Sequence, residues 1–237
     1  MTPIDSPRRQ AMTLLAGAAA ASMLAACTTP PPIAPPTAED WHDVPLPGKP
    51  RTTYRWELTP QGRELVARAD RSASMYRKHL RQPTEAPREV AFSWWVDALP
   101  EGGDVSDANA SDAAASVLFA FGGDHARLSA RNQMMFELAR TLTGEAPPFA
   151  TLAYVWDTQS PVGRVVTHPR SDRMRKIVVE SGPGGLRQWK HYRRTLAADF
   201  KLAFGEAPGP LLAVAVMTDG DNTRSQLTTR YRDISLG

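Results

Sequence analysis

Three acidic residues follow predicted apolar strands and are therefore the side chains best placed for chemistry: Asp157, Glu180 and Asp219. Strand ends of one sheet meet at a common edge, where two carboxylates could act together as the acid pair of a glycosidase. Solvated acids also commonly stand at strand ends, and the sequence does not encode the separation that decides between the two cases. Glu180 and Asp157 are therefore only candidates for catalysis, and no catalytic residue is assigned.

The segment Asp219-Gly220-Asp221-Asn222-Thr223 brings several oxygen-bearing side chains together, and calcium prefers oxygen ligands. An EF-hand loop would need glycine and glutamate where this chain has Arg224 and Arg230. An Asp-Gly turn after a strand explains the same residues. We therefore predict no metal site, and we keep Asp219, Asp221 and Asn222 as candidates for binding an organic ligand.

Histidines and glycines give no sign of a cofactor. The five histidines form no His-Glu-x-x-His pattern, and the glycine run at 182–185 lacks the lysine and hydroxyl of a phosphate-binding loop. We expect neither a metal nor an organic cofactor.

Tryptophans are the residues most able to stack on a sugar ring, and the candidates are Trp95, Trp156 and Trp189. Trp95 is the sharpest of these, because alternation along its strand directs it away from the apolar face that contains Trp94. The alternative is that these rings simply belong to the core, where most tryptophans lie.

The single cysteine, Cys27, ends a segment with the order of an export signal: Arg8-Arg9, then an apolar stretch rich in alanine and leucine. That stretch is too short and too weakly apolar to indicate a membrane span. Its end, Leu24-Ala25-Ala26-Cys27, resembles the bacterial lipoprotein signal box, which implies acylation of Cys27 by fatty acids such as palmitate. The alternative is an ordinary signal peptide with an incidental cysteine, and the choice between the general secretory and twin-arginine routes stays open.

The chain is predicted to comprise a signal peptide at 1–26, a proline-rich tether at 27–50 and a globular domain at 51–237. Thr28 stands where an aspartate would indicate retention at the inner membrane, so we expect a lipid-anchored protein of the outer membrane that faces the periplasm. A net charge of only +3, with basic and acidic residues interspersed, argues against a nucleic-acid partner.

The globular domain is predicted to be mainly β with two packed helices, arranged as a jelly-roll-like sandwich. Val90 to Val96 alternates with period two, and residues 63–69 and 74–80 suggest a hairpin. Denser apolar runs indicate central strands at 152–156, 176–180 and 211–217. Helical spacing predicts amphipathic helices at 126–143, with Leu138 and Leu142 on the packed side, and at 188–204.

A series of segments from residue 94 onward forms an ordered set of motifs: Trp94-Trp95-Val96-Asp97, Gly123-Asp124-His125, Tyr154-Val155-Trp156-Asp157, Arg175 to Gly182, Phe204 to Pro208 and Met217 to Thr223. Together they resemble the bacterial family known as domain of unknown function 3047. The resemblance implies a galactose-binding-like sandwich and establishes no activity. It places in the family's motif positions Trp156, Asp157, Glu180, Trp189, Arg194, Asp199, Asp219, Asp221 and Asn222, whereas Ser116 and Trp95 stand where it implies arginines.

Three functions are compatible with these features. The leading hypothesis is a non-catalytic binding module for a glycan or another ligand of the cell envelope, because the tether, the sandwich and the tryptophans all suit it. The alternatives are a hydrolase that acts on envelope polysaccharide through Glu180 and a nearby aspartate, and a structural lipoprotein whose partner is another protein.

Overall fold

Alternation of apolar and polar residues sorts the strands into two sheets that pack face to face. The computed structural model describes residues 40–85 and 89–237, which all lie in one unit of the chain. In chain order its strands are β1 (Trp41–Pro45), β2 (Thr53–Thr59), β3 (Gly62–Asp70), β4 (Ser74–Thr84), β5 (Val90–Val96), β6 (Ala115–Phe121), β7 (Ala150–Asp157), β8 (Val165–His168), β9 (Ser171–Ser181), β10 (Lys190–Arg194), β11 (Leu211–Met217) and β12 (Gln226–Leu236).

The larger sheet has seven strands in the order β1-β4-β11-β6-β7-β9-β8, and the smaller has five in the order β10-β5-β12-β3-β2. Neighbouring strands run antiparallel except β7 and β9, which are parallel. The prediction of a mainly β, jelly-roll-like sandwich with two helices is confirmed.

The core between the sheets is unusually rich in aromatic rings. Phe92 and Trp94 project inward from β5 and are almost fully buried, as the alternation along this strand predicts. They meet Tyr154 and Trp156 of β7, with centroid distances of 5.5 Å for Phe92 and Tyr154 and 6.4 Å for the two tryptophans. Burial of such large rings is the main source of cohesion between the two sheets.

The two helices end in the way their sequences indicate. Helix α1 (Ala130–Thr143) is capped at its N-terminus by Ser129, whose side chain accepts a hydrogen bond from the backbone N–H of Asn132. Gly144 caps its C-terminus. Helix α2 (Leu196–Phe204) ends at Gly205, which has a φ of 76° that favours glycine. The predicted helix at 188–204 is therefore only half right, since its first part is β10, paired with β5.

Two further predictions about connections need correction. Residues 63–69 and 74–80 do not form a hairpin, because β3 belongs to the five-stranded sheet and β4 to the seven-stranded one. The chain crosses between the sheets at Arg71 to Ala73, where the backbone N–H of Arg71 bonds to Ser225. The predicted boundary at residue 50 between tether and domain is wrong, because Trp41–Pro45 pairs with β4 and the Trp41 ring is buried in the core.

The predicted signal peptide, Cys27 and most of the predicted tether lie outside the described residues. Within the described ranges, no helix is long and apolar enough to cross a membrane.

Candidate functional site

The outer face of the seven-stranded sheet, which points away from the other sheet, is apolar at its centre. Alternate residues of adjacent strands lie side by side there: Leu118 of β6 is in register with Ala153 of β7 on one side and with Ala215 of β11 on the other. Together with neighbours such as Val155 and Val178 they form a second hydrophobic cluster that is separate from the core between the sheets. Small side chains at Ala153 and Ala215 leave space above this floor.

That space is a cavity of about 960 Å³, within the range of small-molecule sites. Helix α1 forms one wall, the segment at 42–49 another, and residues 146–148 and 168–170 complete the rim. Its apolar lining is aliphatic or sulfur-containing and includes no phenylalanine, tyrosine or tryptophan among the described residues: Val44, Pro45, Leu46, Pro47, Met75, Ala108, Ala113, Leu118, Met135, Leu138, Ala139, Leu142, Ala146, Pro147, Pro148, Ala153, Val155, Pro169, Met174 and Met217.

Helix α1 presents its apolar side to this cavity and does not bury it. Leu138 is 53% exposed and Leu142 is 64% exposed, although helical spacing predicts both on the packed side. The helix is held near its ends, where Asn132 donates a hydrogen bond to Asp172 and Glu145 forms an ion pair of 2.7 Å with Arg77. An apolar helix side left open to a cavity is the kind of surface that a ligand covers.

Three cationic side chains, Lys49, Arg170 and Lys176, lie near His168 at one end of the cavity. Burial, together with the charges of Lys176, Arg170 and Lys49, lowers the pKa of His168 to about 4, so its imidazole is neutral at neutral pH. Burial also lowers the pKa of Lys176, although nearby aspartates, Asp219 foremost, act in the opposite direction. The Lys176 ammonium donates a hydrogen bond to the carbonyl of Ser111.

Three carboxylates lie at the same end of the cavity, those of Asp112, Asp219 and Asp221. One oxygen atom of each lies within 4.8 Å of an oxygen atom of the other two. Asp112 precedes β6, and the other two follow β11. Asp112 accepts hydrogen bonds from the backbone N–H groups of Asn222 (3.2 Å) and Thr223 (2.7 Å), which ties the two loops together. Burial and the two neighbouring acids raise the pKa of Asp219 well above its usual range.

The charge of Asp221 is balanced by Lys49, whose Nζ lies 2.6 Å from Oδ2 and 2.7 Å from Oδ1. Arg230 also follows Asp221 closely in sequence but does not take this role. Arg230 instead lies in the five-stranded sheet, where it pairs with Glu57 and Glu64. No sequence motif marks Lys49, Lys176 or Asp112. They come close to Asp219 and Asp221 only in the folded chain.

The candidate acid pair Asp157 and Glu180 is split between the two faces of the seven-stranded sheet. Asp157 is fully buried and accepts hydrogen bonds from the backbone N–H groups of Val105 (3.1 Å) and Ser160 (2.7 Å), on the outer side. Glu180 accepts a hydrogen bond of 2.9 Å from the hydroxyl of Tyr192, which belongs to the opposite sheet. The two carboxylates therefore bind different partners, and each stabilises only its own part of the fold.

The three candidate tryptophans also occupy different places. Trp156 is fully buried and its indole donates to the carbonyl of Gly182, so this ring is not available for stacking on a ligand. Trp95 is half-buried on the outer face of the five-stranded sheet, next to Arg230 of β12. Trp189 is half-buried as well, and the guanidinium of Arg232 lies 3.9 Å from its ring centroid.

The remaining candidate, Arg194, belongs to a network of hydrogen bonds and does not line the cavity. Its guanidinium makes two hydrogen bonds of 2.8 Å with the carboxylate of Asp199, which also accepts a bond of 2.7 Å from the hydroxyl of Tyr154. The structure therefore brings Asp219, Asp221 and Asn222 to the cavity end, while Arg194, Glu180 and Asp157 lie elsewhere.

Comparison with known proteins gives a family and only distant likenesses of fold. A family model described as "Protein of unknown function (DUF3047)" matches residues 39–235. No curated protein matches the chain in sequence.

Among solved structures, the enzymatically active domain of tailspike protein 4 from bacteriophage CBA120 aligns with 84% of this chain, at 9% identity and a TM-score of 0.39. The alignment spans only 19% of the tailspike chain. A family 11 carbohydrate-binding module from Clostridium thermocellum, solved with a β-1,3-1,4-mixed-linked tetrasaccharide, aligns over 84% of this chain and 89% of its own, at 7% identity and a TM-score of 0.41.

The xyloglucanase domain of NopAA from Sinorhizobium fredii, solved with cellobiose, aligns over 83% of this chain and 92% of its own, at 6% identity and a TM-score of 0.41.

Proposed function

The chain belongs to the family described as Protein of unknown function (DUF3047), and we propose that it is a non-catalytic binding module whose ligand places an aliphatic chain in the outer-face cavity. The observation that carries this proposal is the combination of about 960 Å³ of space with an aliphatic and methionine lining. Acyl chains of envelope lipids are the ligands of this chemistry that an exported protein would meet.

The lining favours an acyl chain over a sugar for a physical reason. A sugar hydroxyl that is buried without a hydrogen bond costs several kcal/mol, and sugar rings bind best against aromatic faces. The central floor of Leu118, Ala153 and Val155 offers neither donors nor rings. Methylene groups, in contrast, gain about 0.8 kcal/mol each on burial, and flexible methionines such as Met135 and Met174 adapt to their shape.

A non-catalytic role is supported by the contacts of the acidic candidates. Asp157 has its oxygens occupied by backbone N–H groups, and Glu180 binds Tyr192. A polysaccharide hydrolase would need two carboxylates facing one cleft at a defined separation. The partners of these two residues direct them to opposite faces of a sheet.

The proposal is tested by a series of saturated fatty acids that displace a fluorescent acyl probe. The full chain is used with Cys27→Ala, so that no acyl group of its own competes. Because each buried methylene contributes about 0.8 kcal/mol, affinity should rise roughly fourfold per added methylene until the cavity is full. Displacement that does not depend on chain length, or no probe binding at all, would contradict an aliphatic site.

Leu138→Glu should weaken binding of the acyl probe at least about tenfold, because it removes an apolar wall and introduces a charge beside the chain. Leu138 is already 53% exposed, so the fold should tolerate the change. Leu58→Glu is the matched control, since Leu58 is 85% exposed and does not line the cavity. Equal affinities in the two variants would place the ligand elsewhere.

A glycan ligand is the second candidate, and the observation that favours it is two partly exposed rings: Trp95, in register with Arg230, and Trp189, which contacts Arg232. Screening on a glycan array would detect such binding. A glycan that binds wild type but not Trp95→Ala would assign it to the five-stranded sheet and leave the cavity free.

We also propose that the module acts at the cell envelope, anchored by an acylated Cys27. Cys27→Ala should release the protein from membranes, because the described residues contain no membrane-spanning helix and a lipid chain would then be the anchor. Labelling with radioactive palmitate and fractionation measure this directly. An unlabelled wild type, or a variant that stays in the membrane pellet after a high-salt wash, would refute the anchor.

A further inference from the structure

The three carboxylates at the cavity end form a cluster that the proposed ligand does not require. Asp112, Asp219 and Asp221 come from two loops that the hydrogen bonds of Asp112 to residues 222 and 223 hold together. Like charges at this distance repel one another, so the cluster must be compensated by protons or by a cation.

Among the described residues, no cation forms an ion pair with Asp219. The Oδ1 atom of Asp219 is buried and accepts no hydrogen bond in the described structure, and the residue is only 9% exposed. A buried carboxylate oxygen without a donor is costly, and such orphaned groups point to a missing ion or water. Asp112 differs in this respect, because the N–H and hydroxyl of Thr223 both donate to it.

The only lysine bonded to the three carboxylates in the described structure is Lys49, which binds Asp221 and not Asp219. Its side chain is 28% exposed and belongs to the rim of the cavity. Ion pairs that water can reach contribute about 1 kcal/mol or less, so a divalent cation could displace the Lys49 ammonium at little cost.

The sequence alone predicts no metal site, but the folded arrangement leads us to a different inference: we propose that Asp112, Asp219 and Asp221 bind one calcium ion, which takes the place of the Lys49 ammonium. Calcium binds oxygens at about 2.3–2.6 Å, so two ligands on opposite sides of one ion lie up to roughly 4.6–5.2 Å apart. The 4.8 Å limit on the spacing of the three carboxylates fits this span. Magnesium demands near-ideal octahedral geometry and gives up its water reluctantly, so calcium should bind more tightly to this set of protein carboxylates.

Isothermal titration of calcium into the full chain carrying Cys27→Ala, after treatment with a chelator, tests the proposal. We expect one site, a melting temperature that rises with calcium, and weaker binding of magnesium at the same concentrations. Asp221→Asn and Asp219→Asn should each weaken calcium binding at least about tenfold. Glu89→Gln is the control, because Glu89 is an exposed acid whose partner is Arg193 and neither residue lines the cavity, so its loss should leave calcium binding unchanged.

Lys49→Met provides a test that does not disturb the buried acids. If the ammonium competes with calcium, its removal should tighten calcium binding several-fold, whereas a purely structural lysine would leave the affinity unchanged or lower it. The proposal fails if neither wild type nor Lys49→Met binds calcium, or if Asp219→Asn and Asp221→Asn, folded by circular dichroism, both retain wild-type affinity. These experiments contain no acyl ligand, so their outcome does not depend on the function proposed for the cavity.

Discussion

Replacement of Asp199 by alanine should lower the free energy of unfolding by about 3 kcal/mol, because it removes one partner of a buried charged network. Asp199 is only 8% exposed, and its carboxylate binds both the hydroxyl of Tyr154 and the guanidinium of Arg194. Without the carboxylate, the tyrosine hydroxyl is left buried without its acceptor. The partial exposure of Arg194 keeps the loss below the upper values for fully buried pairs.

Urea unfolding measures this loss, and a decrease of about 3 kcal/mol corresponds to a melting temperature roughly 6–12 °C lower for a domain of this size. Asp199→Asn is the informative control, because the amide oxygen still accepts from Tyr154 while the ion pair is lost. We expect Asp199→Asn to lower the free energy of unfolding by about half as much as Asp199→Ala does. An alanine variant as stable as wild type would show that the network contributes no stability.

Asp157→Ala should also cost about 3 kcal/mol, for a different physical reason. Asp157 is fully buried and accepts hydrogen bonds from the N–H groups of Val105, Gln159 and Ser160. Each buried N–H that loses its acceptor costs roughly 1–3 kcal/mol, and water can relieve only part of the total. The loop before β6 should lose its attachment to the end of β7.

Glu180→Gln serves as the comparison for Asp157→Ala in chemical denaturation. Glu180 is partly exposed and its hydrogen bond from Tyr192 can pass to the amide oxygen, so the expected loss is about 1 kcal/mol or less. The hydrolase alternative would be supported if both variants lost equally little stability and if wild type hydrolysed a polysaccharide that neither variant could hydrolyse.

Short-range patterns in the sequence were sufficient for the strands that carry the core. Alternation along Val90 to Val96 separates Trp94 from Trp95, and the structure places these two rings on opposite faces of the sheet. The apolar run Leu211–Met217 is a strand with the bounds that its sequence indicates. Periodicity works for Val90–Val96 because one face of this strand packs against the core and the other does not, whereas β11 was identified by an apolar run.

The failures arise where distant residues decide the structure. Trp189, Tyr192 and Leu196 fit a helical period, yet pairing with β5 makes Lys190–Arg194 a strand, and the helix starts only at Leu196. Helical spacing found α1 but could not show that Leu138 faces a cavity. The acid cluster was missed for the same reason, since nothing near Asp112 in sequence indicates that it meets Asp219.

Strand β1 connects the edge of the seven-stranded sheet with a wall of the cavity and with Lys49 at the acid cluster. It is an edge strand with a single neighbour, β4, and the segment that continues from it forms a wall of the cavity and ends near Lys49. An edge strand with one partner separates from its sheet more readily than a strand bonded on both sides. Tension applied to the chain before Trp41 would therefore act on β1 first, and separation of β1 would open that wall and pull Lys49 from Asp221.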